Sequence, residues 1–242
     1  MNPAQTALVV IFWVCVATVC FAYVGYPIIL WQLSRLLGRP PRAPADEGAD
    51  LPSLSLLIAA HNEETVMEER IRNALAMDYP REKLEIVVAS DGSTDATAAI
   101  VQHYADRGIK LLQYNPRRGK ATTLNAAIPT LNGDIVLLSD ANTYTDTVAA
   151  RKIVRWFRDP KVGAVCGRLV LTDPATGGNA DSLYWKYETF LKRCESRLGA
   201  LLGSNGAIYA IRRSLFEPIP VNTILDDFVI PLQAKLRTGC AL

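Results

Sequence analysis

The chain has 242 residues, 50% of them hydrophobic and 21% charged, with a formal net charge of +2. So balanced a charge excludes a nucleic-acid-binding protein, which carries a basic excess or stripe; the pairs Arg117-Arg118 and Arg212-Arg213 are solvated faces or local anion contacts. Five cysteines without a CxxC pair make neither a disulfide framework nor a zinc pattern, and fit a reducing compartment.

From Ala7 to Trp31 there is no charged residue. A helix of that length rises about 37 Å, more than the roughly 30 Å of a bilayer core. Trp13, Tyr23, Tyr26 and Trp31 suit the interfaces, and Pro27 is tolerable near the helix end. No Lys or Arg precedes the run, unlike a signal peptide. Arg35, Arg39 and Arg42 follow it, so the positive-inside rule sends the remainder of the chain into the cytoplasm. The expectation is a single-pass anchor in a cell inner or plasma membrane over 1–37 and a Pro/Ala/Asp/Glu-rich linker over 38–52. One soluble α/β domain then occupies 53–242.

Leu54 to Ala60 reads as a buried strand. Asn62 is placed to cap a helix that carries Met67, Ile71, Ala74 and Leu75 on one face and stops at Asp78-Tyr79-Pro80. A strand follows over Leu84–Ala89, then a helix capped by Ser93 or Thr94 and ended by Gly108. Ile109–Tyr114 is the third strand, Lys120–Leu131 a helix, and Ile135–Leu138 the fourth strand. Near-continuous apolar strands alternating with helices mean a mostly parallel sheet with helices on both faces. Beyond it lie a helix with Ala149, Ile153, Trp156 and Phe157, a strand over Val162–Val165, and a long amphipathic helix from Tyr184 to Leu198. A strand over Ala207–Ile211 and a helix opened by Asp226-Asp227 complete the chain.

Three polar clusters each follow a strand: His61-Asn62-Glu63, Ser90-Asp91-Gly92 and Ser139-Asp140-Ala141-Asn142. Ligands of such sheets bind beyond the carboxyl ends of the strands, so the clusters converge on one crevice. Neither GxGxxG nor GxxxxGK[ST] is present, so bound phosphate needs another counter-charge, a carboxylate-held metal together with Lys or Arg. Asp140 and Asn142 supply two oxygens one residue apart, and Lys120 opens a helix where phosphate is favoured. Each acid alone has a plainer reading, an Asx-turn for Asp91 and a helix cap for Asp226-Asp227; His61 alone is more often structural.

These strings together resemble the family 2 glycosyltransferases of the GT-A, membrane-associated, inverting type, such as cellulose-, poly-N-acetylglucosamine- and hyaluronan-synthase-like catalytic domains. The matching strings are Ala59-Ala60-His61-Asn62-Glu63-Glu64, Asp78-Tyr79-Pro80, Ser90-Asp91-Gly92-Ser93-Thr94-Asp95, Gly119-Lys120 with Leu124-Asn125-Ala126, Ser139-Asp140-Ala141-Asn142, Gly203 to Ile208, and Asp226-Asp227. The resemblance implies a GT-A fold, a nucleotide-diphosphate sugar donor of UDP type, and a carbohydrate or lipid acceptor. It implies a nucleoside pocket at Ala60, His61, Asn62 and Glu63, a base contact at Asp91 beside Gly92, and a ribose or diphosphate contact at Asp140. Asn142 stands where the DxD motif carries its metal-binding aspartate, so Mg²⁺ or Mn²⁺ is held by Asp140 and a neutral amide. Asp227 matches the catalytic base, with Asp226 as the alternative. Family members continue into a QxxRW-type motif and further membrane helices, so the C-terminal part is expected to be missing at Leu242.

Two other classes compete. A nucleotidyltransferase needs a glycine- and lysine-rich loop after the first strand, where His61-Asn62-Glu63-Glu64 stands. A non-catalytic nucleotide-sugar-binding membrane subunit is favoured by the neutral Asn142.

Overall fold

The structure is a computed structural model and describes residues 2–39, 44, 50–170, 182–199, 203–204, 206–238 and 240–241. Arg42 and most of the 38–52 segment lie outside the described residues. Helices α1 (Pro3–Cys20) and α2 (Tyr26–Leu36) are joined by a π-helical turn, Phe21–Gly25. There follow β1 (Leu54–Ala60), α3 (Glu64–Leu75), β2 (Leu84–Asp91), α4 (Thr97–His103), β3 (Ile109–Tyr114), α5 (Lys120–Ala127) and β4 (Ile135–Asp140). Then come α6 (Ala149–Val154), β5 (Val162–Cys166), α7 (Leu183–Arg197), β6 (Ile208–Arg212), α8 (Asp226–Thr238) and β7 (Cys240–Ala241). The chain divides into two compact units, Met1–Pro41 with Thr172–Ala200, and Arg42–Leu171 with Leu201–Leu242.

In the first unit, Pro3–Leu36 is by length and composition able to cross a membrane, and α1 buries none of its apolar side chains. Pro27 cannot donate to the carbonyl of Tyr23, and its ring crowds that carbonyl. The helix widens there into the π turn, where Tyr26 N donates to Phe21 O. The hydroxyl of Tyr187 on α7 reaches the carbonyls of Ala22 and Tyr23, at 3.5 and 3.4 Å. Tyr26 Oη donates to Glu195 Oε1 at 3.3 Å, and Pro27, Leu30, Ser34 and Cys194 are the buried side chains of α2 and α7.

The second unit is built on one sheet of order β3-β2-β1-β4-β6-β5-β7. Strands β3, β2, β1 and β4 are parallel; β6 is antiparallel to β4 and β5, and β7 parallel to β5. Successive β1 residues point to opposite faces, and both faces are covered. Leu56 and Ile58 pack with Met67 and Ile71 of α3, while Leu57 packs with Leu124 and Ile128 under α5. Each such fully buried side chain contributes roughly 1.5–3 kcal/mol, which is why β1 reads as an apolar run interrupted only by Ser55. The register aligns Ala60 with Ser90, Asp91 with Tyr114, and Ala59 with Asp140, so the polar clusters end level with one another.

Three helix boundaries correct the sequence reading. Asn62 does not cap α3: it sits at φ +55°, and its Oδ1 accepts from Thr94 N at 2.9 Å. Glu64 N donates instead to Asp95 Oδ2 (3.1 Å) and Glu63 N to Thr97 Oγ1 (2.8 Å). Neither Ser93 nor Thr94 caps α4, whose Thr97 N is held by Asp95 Oδ1 at 3.0 Å and whose Ala96 N is held by Glu64 Oε2 at 2.9 Å. The two helices start side by side above paired strands, so each free N–H turn is met partly by the neighbouring loop. The third helix is shorter than expected, with α5 tightening into a 3₁₀ turn at Ile128–Thr130 around Pro129.

Candidate active site

The carboxyl ends of β1, β2 and β4 and the first turn of α5 surround a cavity of about 290 Å³ lined by Ala60, His61, Glu63, Asp91, Lys120, Asp140 and Asn142, with Arg117 and Thr123. Seven of the residues read from sequence thus meet in one place. Asn62 and Gly92 stand in the same two turns but serve the backbone. Asn62 bridges the loops, as described above.

Asp91 is 5% exposed. Its carboxylate accepts from Arg118 N at 2.7 Å and Gly119 N at 2.8 Å, so it organises the loop that delivers Lys120. Its carbonyl holds His61 Nδ1 at 2.7 Å, which orients the ring at the cavity wall. Gly92 has φ +63°, and a Cβ there would lie 2.4 Å from Arg117 N. Gly92→Ala is therefore expected to cost at least the roughly 1–3 kcal/mol of left-handed strain. A thermal melt checks this, with a lowered Tm as the result; an unchanged Tm contradicts the geometry.

Lys120 Nζ lies 3.0 Å from Asp140 Oδ1 and 3.2 Å from Asp226 Oδ1. Burial by itself depresses the lysine pKa, but Asp226 and Asp140 outweigh it, and the net shift is upward. Asp226 is 6% exposed and also accepts from Tyr209 Oη at 3.3 Å. Burial, then Asp226, pushes the Tyr209 hydroxyl well up, so it remains a donor. Asp227 is only partly buried; burial first, and then the neighbouring Asp226 charge, raise its pKa against the opposing pull of Lys120. Its carbonyl accepts from Ser204 N (3.0 Å) and Ser204 Oγ (2.6 Å). A Cβ on Gly206 would come within 3.1 Å of Asp227 Oδ2, so the glycine leaves that carboxylate its room.

Among the described residues no group of three or more His, Cys, Asp or Glu side chains gathers to hold a metal. Asp140 with the exposed Asn142 offers two oxygens at the cavity. Such a set suits Mg²⁺-type ions, which take one or two protein ligands and complete their shell with substrate phosphates and water.

The sheet and this crevice define a GT-A-type fold with acids and one lysine at the strand ends. Residues 55–219 match the family described as Glycosyl transferase family 2, and the chain belongs to it. It is 30% identical over 182 residues to the probable glycosyltransferase YdaM of Bacillus subtilis (strain 168), covering 70% of this chain and 43% of that protein. It is 28% identical over 214 residues to a poly-beta-1,6-N-acetyl-D-glucosamine synthase of Staphylococcus aureus (strain COL), covering 83% of this chain and 49% of the synthase. The chain thus spans about half the length of these curated relatives. The mannosyltransferase PcManGT from Pyrobaculum calidifontis, solved with GDP-Man and Mn²⁺, superposes with a TM-score of 0.77 at 27% identity, over 93% of this chain and 64% of that one. TarS of S. aureus, residues 1–349 with UDP-GlcNAc, shares the fold at 0.58 and 18% identity, over 78% of this chain and 55% of that one.

Sequence reasoning read Arg117 only as half of a basic pair, a solvated face or a local anion contact, and missed Thr123 in the cavity wall, Tyr209 on Asp226, and Arg70 and Asn73 behind the Asp140 turn. Of those missed, Arg70 left a signal, a charge on the apolar face of α3 between Met67 and Ile71.

Proposed function

We propose that the chain transfers a sugar from a nucleotide-diphosphate sugar, of UDP type, to a hydroxyl of a carbohydrate or lipid acceptor with inversion, as part of polysaccharide or glycolipid synthesis. The observation that carries this reading is Lys120, bridging Asp140 and Asp226, in the wall of a crevice that His61 and Asp91 also line. The nucleoside lies at Ala60, His61, Glu63 and Asp91, and the diphosphate at Lys120 and Asp140. Mg²⁺ or Mn²⁺ held by Asp140 and Asn142, when bound, offsets negative charge on the leaving diphosphate. The Mn²⁺ in the PcManGT complex and the nucleotides bound to PcManGT and TarS support this assignment of the pocket.

Asp227 is the general base. As the acceptor hydroxyl attacks the anomeric carbon, its proton passes to the Asp227 carboxylate and the bond from that carbon to the diphosphate oxygen breaks. Inversion follows from a single displacement. Asp226 serves otherwise: its carboxylate is occupied by Lys120 and Tyr209. Incubating the purified chain with a panel of nucleotide sugars and Mn²⁺ tests the reading. Release of nucleoside diphosphate supports it, binding without turnover supports a nucleotide-sugar-binding subunit, and no binding of any nucleotide sugar removes it.

In the same reading residues 1–37 anchor the chain in a cell inner or plasma membrane, 38–52 link, and 53–242 form the catalytic domain in the cytoplasm. The uncharged, largely apolar α1 and the basic Arg35 and Arg39 that follow it support this orientation. In sealed vesicles of cytoplasmic-side-in orientation, a cysteine placed at Asn2 is expected to react with a membrane-impermeant maleimide, whereas one placed at Asp106 is protected. The opposite pattern reverses the topology.

A further inference from the structure

Arg70 is fully buried on α3, with 0% exposure, among Met67, Ile71 and Ala74. Among the described residues no carboxylate pairs with it through a hydrogen bond. Its Nε donates to the carbonyl of Asp140 (3.4 Å) and its Nη1 to Asn73 Oδ1 (3.1 Å), while Nη2 has no hydrogen-bond partner among the described residues. A buried cation held this way is costly, and an apolar side chain would fill the face of α3 more favourably. What the arrangement accomplishes is visible one turn further on. Asn73 Oδ1 also accepts from Thr145 N (2.9 Å) and Thr145 Oγ1 (3.1 Å), and Asn73 Nδ2 donates to Thr145 O (2.9 Å). Tyr144 Oη donates to Glu69 Oε2 at 3.0 Å. Three neighbouring α3 residues therefore grip both ends of the turn from Asp140 to Thr145. That turn carries Asp140 and Asn142, both on the cavity, while neither Arg70 nor Asn73 lines it.

We propose that Arg70 and Asn73 are positioning residues that fix the Asp140–Thr145 turn so that Asp140 and Asn142 present their oxygens to a divalent cation and the donor diphosphate. The proposal rests on reading this cavity as the donor site. A neutral Asn142 attracts a cation less than a carboxylate does, so placement of the two oxygens carries more of the affinity. Burial, opposed by the Tyr144 and Asp140 interactions, lowers the Arg70 pKa to about 10, which leaves the guanidinium charged at neutral pH.

The test uses the full chain in detergent and two probes, a nucleoside (uridine or guanosine) and the matching nucleoside diphosphate with Mn²⁺. Removing a group that orients metal ligands costs about 10–100-fold in metal affinity. Asn73→Ala and Arg70→Met are each expected to weaken Mn²⁺-dependent diphosphate binding by that factor and to leave nucleoside binding unchanged. Arg70→Lys keeps the charge without the planar fork and falls between. Asn73→Ala keeps the test decisive where Arg70→Met does not fold. Diphosphate binding equal to wild type overturns the proposal, and so does equal loss of nucleoside and diphosphate, which marks a general packing role. Should the wild-type chain bind neither probe, the donor-site reading itself fails.

Discussion

Asp227→Asn is expected to lower sugar transfer by about 10²–10⁴-fold, the usual worth of general-base assistance, while nucleotide-sugar affinity is retained. The side chain keeps its size, so the crevice and the room left by Gly206 are preserved. The same substitution is expected to leave Tm unchanged or raise it. Burial and the Asp226 charge raise the Asp227 pKa in the folded chain. A carboxyl with a folded pKa above its unfolded one costs stability when ionised, at pH above both values, and that cost disappears as pH falls below the unfolded value. At neutral pH the amide removes the cost. Stability is thus given up in exchange for a more basic carboxylate, and the wild-type rate is expected to fall on the acid side through an aspartate pKa displaced upward. Initial rates across pH, donor titrations and melts on both proteins check the three outcomes. Full activity in Asp227→Asn takes the base role away from Asp227.

Much of the architecture was legible because it depends on short-range periodicity. The mostly apolar run Leu54–Ala60 announces a strand buried on both faces, and the helical spacing of Met67, Ile71 and Ala74 announces the helix over it. Parallel order then forces the polar residues after β1, β2 and β4 to one edge, which is why His61, Asp91 and Asp140 could be brought together without coordinates. Illegible features depend on atoms distant in sequence. Asn62 and Glu64 exchange bonds with residues 93–96, about 30 positions away, so the local cap rule gave Asn62 a place at the start of α3 that it does not take. Asp226 and Asp227 are adjacent, and only the packing of α8 separates a buried acid bonded to Tyr209 from a partly buried one beside Gly206. The partnership of Lys120 with two acids from different elements likewise has no local signature.

That partnership gives the second large effect. Lys120→Met is expected to weaken nucleoside diphosphate binding and to destabilise the fold, for separable reasons. A hydrogen bond to a charged group is worth about 1.5–3 kcal/mol, or roughly 10–100-fold in affinity. Among the described residues, losing the ammonium also leaves Asp226, 6% exposed, with Tyr209 as its remaining side-chain partner, and an under-satisfied buried group costs about 1–3 kcal/mol. The lysine pKa is raised in the folded chain, so its contribution is fully present below the unfolded lysine value and is lost only as pH rises through the raised one. Across the neutral range the stability loss in Lys120→Met is therefore expected to be flat with pH. The double variant Lys120→Met/Asp226→Asn removes the orphaned charge, so it is expected to recover most of the lost Tm while diphosphate affinity stays low. Contacts in one network are not additive, and the cycle isolates their coupling. If affinity returns along with Tm, Lys120 serves only to neutralise Asp226, and the donor diphosphate finds its counter-charge elsewhere in the crevice.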